Sequence, residues 1–120
     1  MPGIGPATLD ERLDAVFVLD IRPAEDYDDG HIPTSYNAPV YEALQRGDIA
    51  ALEEHLGVLP DDREVVTVCK AGLVARRATT YLETEGYPAR TLTGGYAGWR
   101  QYEADTFLYR VVAAVGRLVA

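Results

Sequence analysis

Cysteine, lysine and methionine are almost missing from this 120-residue chain, which holds one of each: Cys69, Lys70 and the initial Met1. A single thiol cannot close an internal disulfide, so the fold does not depend on an oxidising compartment and the thiol stays free to react. No run of 18 apolar residues occurs, which excludes a membrane-spanning helix. The opening Met1-Pro2-Gly3-Ile4-Gly5-Pro6 lacks a basic segment followed by an apolar one, so the protein is expected in the cytoplasm. Cations are scarce as well. Eleven Lys and Arg against nineteen carboxylates give a formal net charge of -8. That balance excludes the basic face that phosphate backbones require, so no nucleic acid is expected as partner. No His/Cys cluster falls at metal-ligand spacing, so neither a metal nor another cofactor is expected.

What remains is the composition of one globular domain over residues 1–120, 48% apolar and 25% charged, with enough chain for a core of two or three layers. No repeat, low-complexity tract or linker divides it. Thr8-Leu9-Asp10-Glu11 predicts a capping box and a short helix over 9–14. The apolar, β-branched stretches 15–21 and 65–69 read as strands buried on both faces, and 89–92 as a third. Pro23 opens a short acidic helix that ends near Gly30. His31-Ile32-Pro33 is extended, and Ala38-Pro39-Val40 is a loop or edge segment. Residues 41–56 predict two short helices, with Asp48 as a cap and Gly57 as a stop. Residues 74–85 predict a helix that turns Ala78, Tyr81 and Leu82 inward and stops at Gly86. A short helix over 96–103 follows Gly94-Gly95, and the apolar segment 107–119 predicts a last helix. Strands alternating with helices give an α/β fold class, a compact domain with a mainly parallel central sheet flanked by helices on both faces.

The scarce residues fall together. Cys69 ends the second buried strand, Lys70 follows it, and Ala71-Gly72 turns the chain toward a helix. Such a turn supplies unpaired amides and the positive end of a helix dipole, both of which favour an anion such as a thiolate. Cys69 is therefore the candidate nucleophile. Arg76 and Arg77 stand in the first turn of that helix, where cations oppose the dipole. Either an anion relieves that opposition or both side chains point outward to surface carboxylates, and only one of two adjacent residues can easily face the loop. Asp20 and Arg22, at the end of the first strand, are expected to brace loops through an ion pair. Tyr96 and Trp99 are expected to serve as loop-anchoring and core aromatics, and His55 as a surface residue.

Three segments, taken in order, resemble the rhodanese (sulfurtransferase) family over about residues 15–103. They are Leu19-Asp20-Ile21-Arg22 with Tyr27-Asp28-Asp29-Gly30-His31-Ile32-Pro33, then Val65-Val66-Thr67-Val68-Cys69-Lys70-Ala71-Gly72, then Leu92-Thr93-Gly94-Gly95-Tyr96-Ala97-Gly98-Trp99. The resemblance implies a compact three-layer domain. It implies an active loop formed by Lys70, Ala71, Gly72, Leu73, Val74 and Ala75, whose amides face the sulfur of Cys69. It also implies a structural place for His31, packed and hydrogen-bonded beneath that loop, with Arg76, Arg77 and Arg22 as candidates for steering anions. The implied activity is transfer of sulfane sulfur through a Cys69 persulfide, from thiosulfate or a similar donor to a thiol or protein acceptor.

The chain departs from the family at Val74-Ala75, where many members resembling it carry Arg-Ser, and at Pro33-Thr34-Ser35, where Pro-Gly-Ala is usual. The first change removes a possible cation and hydroxyl from the pocket. A phosphatase or arsenate reductase of related fold needs a histidine before the cysteine and a closing arginine six residues after it; Val68 and Arg76, seven residues on, do not supply them. A non-enzymatic module, which docks on a partner or carries persulfide for it, is the alternative. The extra helix, within 104–120, bears on it: segment 107–119 either docks on the domain's own sheet or forms a homodimer or partner surface. Ten arginines to one lysine on an acidic chain suit a salty cytoplasm, and codon bias produces the same ratio. Salt adaptation predicts a melting temperature that climbs from dilute to molar potassium chloride; an unchanged one leaves codon usage as the cause.

Overall fold

The computed structural model describes residues 3–119; residues 1, 2 and 120, the ends of the expected 1–120 span, lie outside the described residues. Five strands form one sheet: β1 (Gly3–Ile4), β2 (Val16–Asp20), β3 (Tyr36–Asn37), β4 (Glu64–Val68) and β5 (Ala89–Leu92). Their order is β1-β5-β4-β2-β3 and every pairing is parallel, with Val16 opposite Glu64 and Val65 opposite Ala89. The α/β class expected from alternating strands and helices is the class observed. The two edge strands have two residues each, too few to produce a period in the sequence. β3 takes the edge place expected nearer Ala38-Pro39-Val40, and Ala38 and Val40 instead fill the core just past it.

Side chains along β2 and β4 alternate between two cores, as a period of two requires. On one face Leu19, Val65, Ala78 and Leu82 pack with helices α3 (Tyr41–Gln45), α4 (Ala50–Glu53) and α5 (Ala75–Thr84). On the other, Val16, Val18, Val66 and Val68 pack with Leu9 of α1 (Pro6–Glu11) and Trp99 of α6 (Gly95–Val119). The acidic α2 (Ala24–Asp29) begins after Pro23 as predicted, with Glu25 and Asp26 in its dipole-favoured first turn. α5 and its left-handed stop at Gly86 also match, although Tyr81 is only half-buried.

Several expected boundaries move. α1 starts at Pro6 and not after a Thr8 cap, because proline has no N–H to satisfy and its fixed φ suits the first helical position. Asp48 does accept the Ala50 N–H at 3.2 Å, as a cap would, but Gly57 lies within a 3₁₀ turn, Leu56–Val58, and does not stop a helix. His55 is half-buried, its Nδ1 3.3 Å from the Tyr36 hydroxyl, where a surface residue was expected.

The largest correction is at the C-terminus, where the two expected helices are one continuous helix of 25 residues. Nothing in Ala104-Asp105-Thr106 breaks it, and Gln101 bonds Asp105 one turn on at 2.9 Å. The expected docking of 107–119 on the domain's own sheet does not occur. That face is already covered by α1 and the first turns of α6, where Trp99 is buried and the Tyr102 hydroxyl donates to Asp10 at 2.7 Å. This bond to a carboxylate raises the Tyr102 pKa above its ordinary value. Beyond Thr106 the helix projects, giving the molecule extents of 58 × 29 × 23 Å.

Three buried threonines tie the layers beneath the loop that follows Cys69. Thr79 of α5 shares hydrogen bonds of 2.8 Å with Thr67 of β4 and with Thr91 of β5, while Thr67 also reaches the Ala75 carbonyl at 3.1 Å. Replacing Thr79→Val keeps the shape but leaves buried hydroxyls short of a partner, which costs about 1–3 kcal/mol. Urea denaturation should show that loss as a lower midpoint at an unchanged slope.

Candidate active site

The end of β4 delivers Cys69 to the carboxyl edge of the parallel sheet, where open α/β folds place their sites. The chain then curls through residues 70–74 into α5. Within this curl the Cys69 Sγ accepts the N–H of Gly72 at 3.1 Å and of Ala75 at 3.4 Å. The second donor is the first residue of α5, so the sulfur also sits at the positive end of that helix. Two amides and a helix end directed at one sulfur hold negative charge there, on a thiolate or on a longer sulfur anion. Cys69 itself is only 1% exposed, whereas Lys70, Ala71 and Leu73 face outward.

The curl is held by its carbonyls. Tyr96 N–H donates to the Cys69 carbonyl at 2.8 Å, and Ala97 N–H donates to that of Lys70 at 3.0 Å. Two of the amides that the first turn of α6 leaves unpaired are thus satisfied by the loop. Such proximity requires glycine on both sides. Gly72 has φ +91°, and a Cβ there would meet Gly94 N and the Leu92 carbonyl at 3.2 Å. Gly95, at φ +61°, lies so close that a Cβ would strike the Cys69 carbonyl and come within 2.7 Å of the Ala71 and Gly72 nitrogens. The Gly94-Gly95 pair, which precedes a helix and belongs to the third resemblance segment, is the sequence signal of this contact.

Arg22 braces the same loop from behind. Its guanidinium grips Asp20 through Nη2 at 2.8 Å and Nε at 3.0 Å, and Nη2 also donates to the Gly30 carbonyl at 2.8 Å. The expected ion pair is present and fully buried on the aspartate side. The guanidinium carbon lies 3.9 Å from the centre of the Tyr96 ring, so the pair bears on the residue that anchors Cys69. Arg22 is thus engaged with Asp20 and the Gly30 carbonyl, and it also lines the cleft that Lys70 borders.

The other candidates separate. Arg77 donates to the Leu44 and Gln45 carbonyls at 2.8 and 3.1 Å and so caps the end of α3, away from the loop. Arg76 faces the loop side, in a cleft of about 250 Å³ shared with Ala71, Gly72 and Gly94. A second cleft of about 330 Å³ joins Lys70 to Arg22, Tyr96, Asp26, Asp29 and Arg100, the last brought there by α6 with no motif to mark it. His31 is exposed, not packed under the loop, but it is hydrogen-bonded at 2.8 Å to the Tyr27 carbonyl and stacked on that ring at 3.9 Å. Val74 and Ala75 turn into the core, Ala75 completely, so the departure at these positions leaves the backbone cradle of the sulfur intact. Among the described residues no group of three or more His, Cys, Asp or Glu is placed to hold a metal.

A family model described as a rhodanese-like domain matches residues 5–102. The chain is 27% identical over 99 residues to YtwF of Bacillus subtilis, covering 80% of this chain and 87% of that one. It is 29% identical over 91 residues to the thiosulfate sulfurtransferase GlpE of Shewanella oneidensis, covering 75% and 81%. A rhodanese-related protein from Thermoplasma volcanium superposes with a TM-score of 0.72 at 26% identity, covering 85% of this chain and 93% of the other.

Gly95→Ala should force the loop away from α6. The expected result is at least a tenfold change in the rate of Cys69 alkylation by iodoacetamide, with Gly57→Ala, where a Cβ meets nothing within 4 Å, as a silent control. Equal rates in the two variants would mean that the glycine contact does not position the loop.

Proposed function

The chain belongs to the rhodanese-like domain family, and on that premise we propose that it is a sulfurtransferase that carries sulfane sulfur on Cys69. The observation that supports this most is the pair of amides, Gly72 and Ala75, directed at Sγ. They suit an anion that persists between two half-reactions, which is what covalent group transfer requires.

In the first half-reaction the Cys69 thiolate attacks the outer sulfur of thiosulfate. A sulfur–sulfur bond forms to Cys69, the original one breaks, and sulfite leaves with the bonding electron pair. The product is a persulfide anion in the loop. In the second, a thiolate or cyanide attacks the terminal sulfur, takes it, and Cys69 departs as thiolate. No net oxidant is consumed, and the loop sees an anionic sulfur before and after each step. In this reading Arg76, in one cleft beside the loop, and Lys70 and Arg100, which face Asp26 and Asp29 in the other, would draw a dianionic donor toward this acidic protein. The cytoplasm, a reducing compartment, suits a thiol that must stay unpaired.

A second reading is favoured by two features. Leu73 at the loop tip is 67% exposed, and the projecting end of α6 is apolar, so the domain would dock on a protein partner and pass its sulfur there, or only bind.

Reduced protein incubated with thiosulfate should gain the mass of one sulfur, lose it to cyanide, and gain none as Cys69→Ala. No adduct on a Cys69 that still alkylates would sink thiosulfate use and leave the docking module. Full thiosulfate:cyanide activity in Cys69→Ala would remove the covalent mechanism altogether.

A further inference from the structure

The part of α6 that lies beyond the family match has no partner within the chain. From Phe107 to Val119 eight large apolar side chains are 42–84% exposed on one helical stretch. A helix of this length is marginal in water without a packed face, and its valines lower its intrinsic propensity further. Something covers it, and the pattern of the stretch indicates what.

Leu108, Val111, Val115 and Leu118 are spaced by three, four and three residues, so they line one seam of the helix. Both the spacing and the residue order read the same in either direction. A seam with that symmetry is complementary to itself when two copies run antiparallel about a two-fold axis. Leu108 then meets Leu118 of the second copy, and Val111 meets Val115. The overlap in this register runs from Phe107 to Val119, the stretch that is exposed. Glu103, Thr106, Arg110 and Arg117 lie on roughly the opposite side of the helix, given about 3.6 residues per turn. Thr106 and Arg110, with Phe107 beside them, line a cleft with Asp10 and Trp99, which orients that side toward the domain and the seam away from it. No charged side chain therefore falls within the seam.

We infer that this face is the interface of an antiparallel homodimer formed through residues 107–119 of α6. Each large apolar side chain offers roughly 60–120 Å² of burial. Charge favours the same arrangement. The chain carries a net -8, and antiparallel pairing holds the two acidic domains at opposite ends of the joined helices, where parallel pairing would set them side by side. An anionic membrane surface is the poorer partner, because the stretch brings only Arg110 and Arg117 against that acidic domain.

Light scattering on the full chain should give twice the monomer mass of 13.1 kDa, and Val111→Glu with Val115→Glu should return it to 13.1 kDa with Cys69 sulfur loading retained. In a Cys69→Ala background, a mixture of Leu108→Cys and Leu118→Cys proteins should form a disulfide that neither forms alone. A wild-type monomer at the highest soluble concentration overturns the inference. So does a monomer that floats with phosphatidylcholine vesicles, which would make the face a lipid anchor. A dimer that survives the glutamate substitutions moves the interface elsewhere, and cross-linking of either cysteine variant by itself overturns the antiparallel register.

Discussion

The loop after Cys69 is closed by two amides of α6, those of Tyr96 and Ala97, which donate to the carbonyls of Cys69 and Lys70. With its carbonyls drawn toward α6, the loop turns its own amides inward, and those of Gly72 and Ala75 meet at the sulfur. Fixing these two carbonyls sets the orientation of the 69–70 and 70–71 peptide units, and the turn at Gly72 that follows them carries the Gly72 and Ala75 amides to the sulfur. The approach depends on Gly72 and Gly95, both at positive φ and each without room for a Cβ. The chemistry proposed for Cys69 thus rests on backbone geometry more than on any side chain of the loop. This is consistent with Val74 and Ala75 facing the core in a chain that keeps the sulfur cradle.

Behind this contact stands a buried charge pair. Burial of Asp20 and Arg22 is costly in itself, and such a pair adds little net stability unless its remaining donors and acceptors are satisfied. Here they are satisfied: Asp20 Oδ1 also accepts the Arg22 backbone N–H at 3.0 Å, Arg22 reaches the Gly30 carbonyl, and its flat face lies on the Tyr96 ring. The pair fixes the direction of α2 and of Tyr96 together. The threonine ladder of Thr67, Thr79 and Thr91 does the same from the opposite core, setting where α5 begins relative to β4 and β5. Both polar networks converge on the carboxyl edge of the sheet, where a rigid frame aims amides at Cys69.

One helix serves two purposes. The first turn of α6 is part of the active loop's support, and its last three to four turns carry the face assigned to a second copy. Pairing there would hold the helix axis, and with it the Tyr96 and Ala97 amides, by a constraint outside the domain core. The acidic surface would remain free around each loop, with Lys70, Arg76 and Arg100 as the cations beside it.

Local period and rare residues were enough to read part of this protein from its residues alone. Buried strands of β-branched residues at 16–20 and 64–68, the helix ended by Gly86, and the parallel α/β class all follow from patterns that a few neighbouring residues create. Cys69 was legible because it is the one thiol, follows a buried strand and opens a glycine turn, and the ion pair of Asp20 and Arg22 because both sit at a strand end. Only the tertiary structure decided which groups meet across the chain. It sent Arg77 to the carbonyls of α3 while Arg76 stayed beside the loop, occupied Arg22 with Asp20, left His31 exposed, and made the glycines at 94 and 95 the seat of the loop. It also left residues 107–119 without a cover, since an apolar helix reads the same in sequence whether it packs on its own sheet or projects from it. The division has one physical reason: periodicity and backbone preference act over a few residues, whereas hydrogen-bond partners, burial of charge and the covering of an apolar face are settled by elements far apart in the chain.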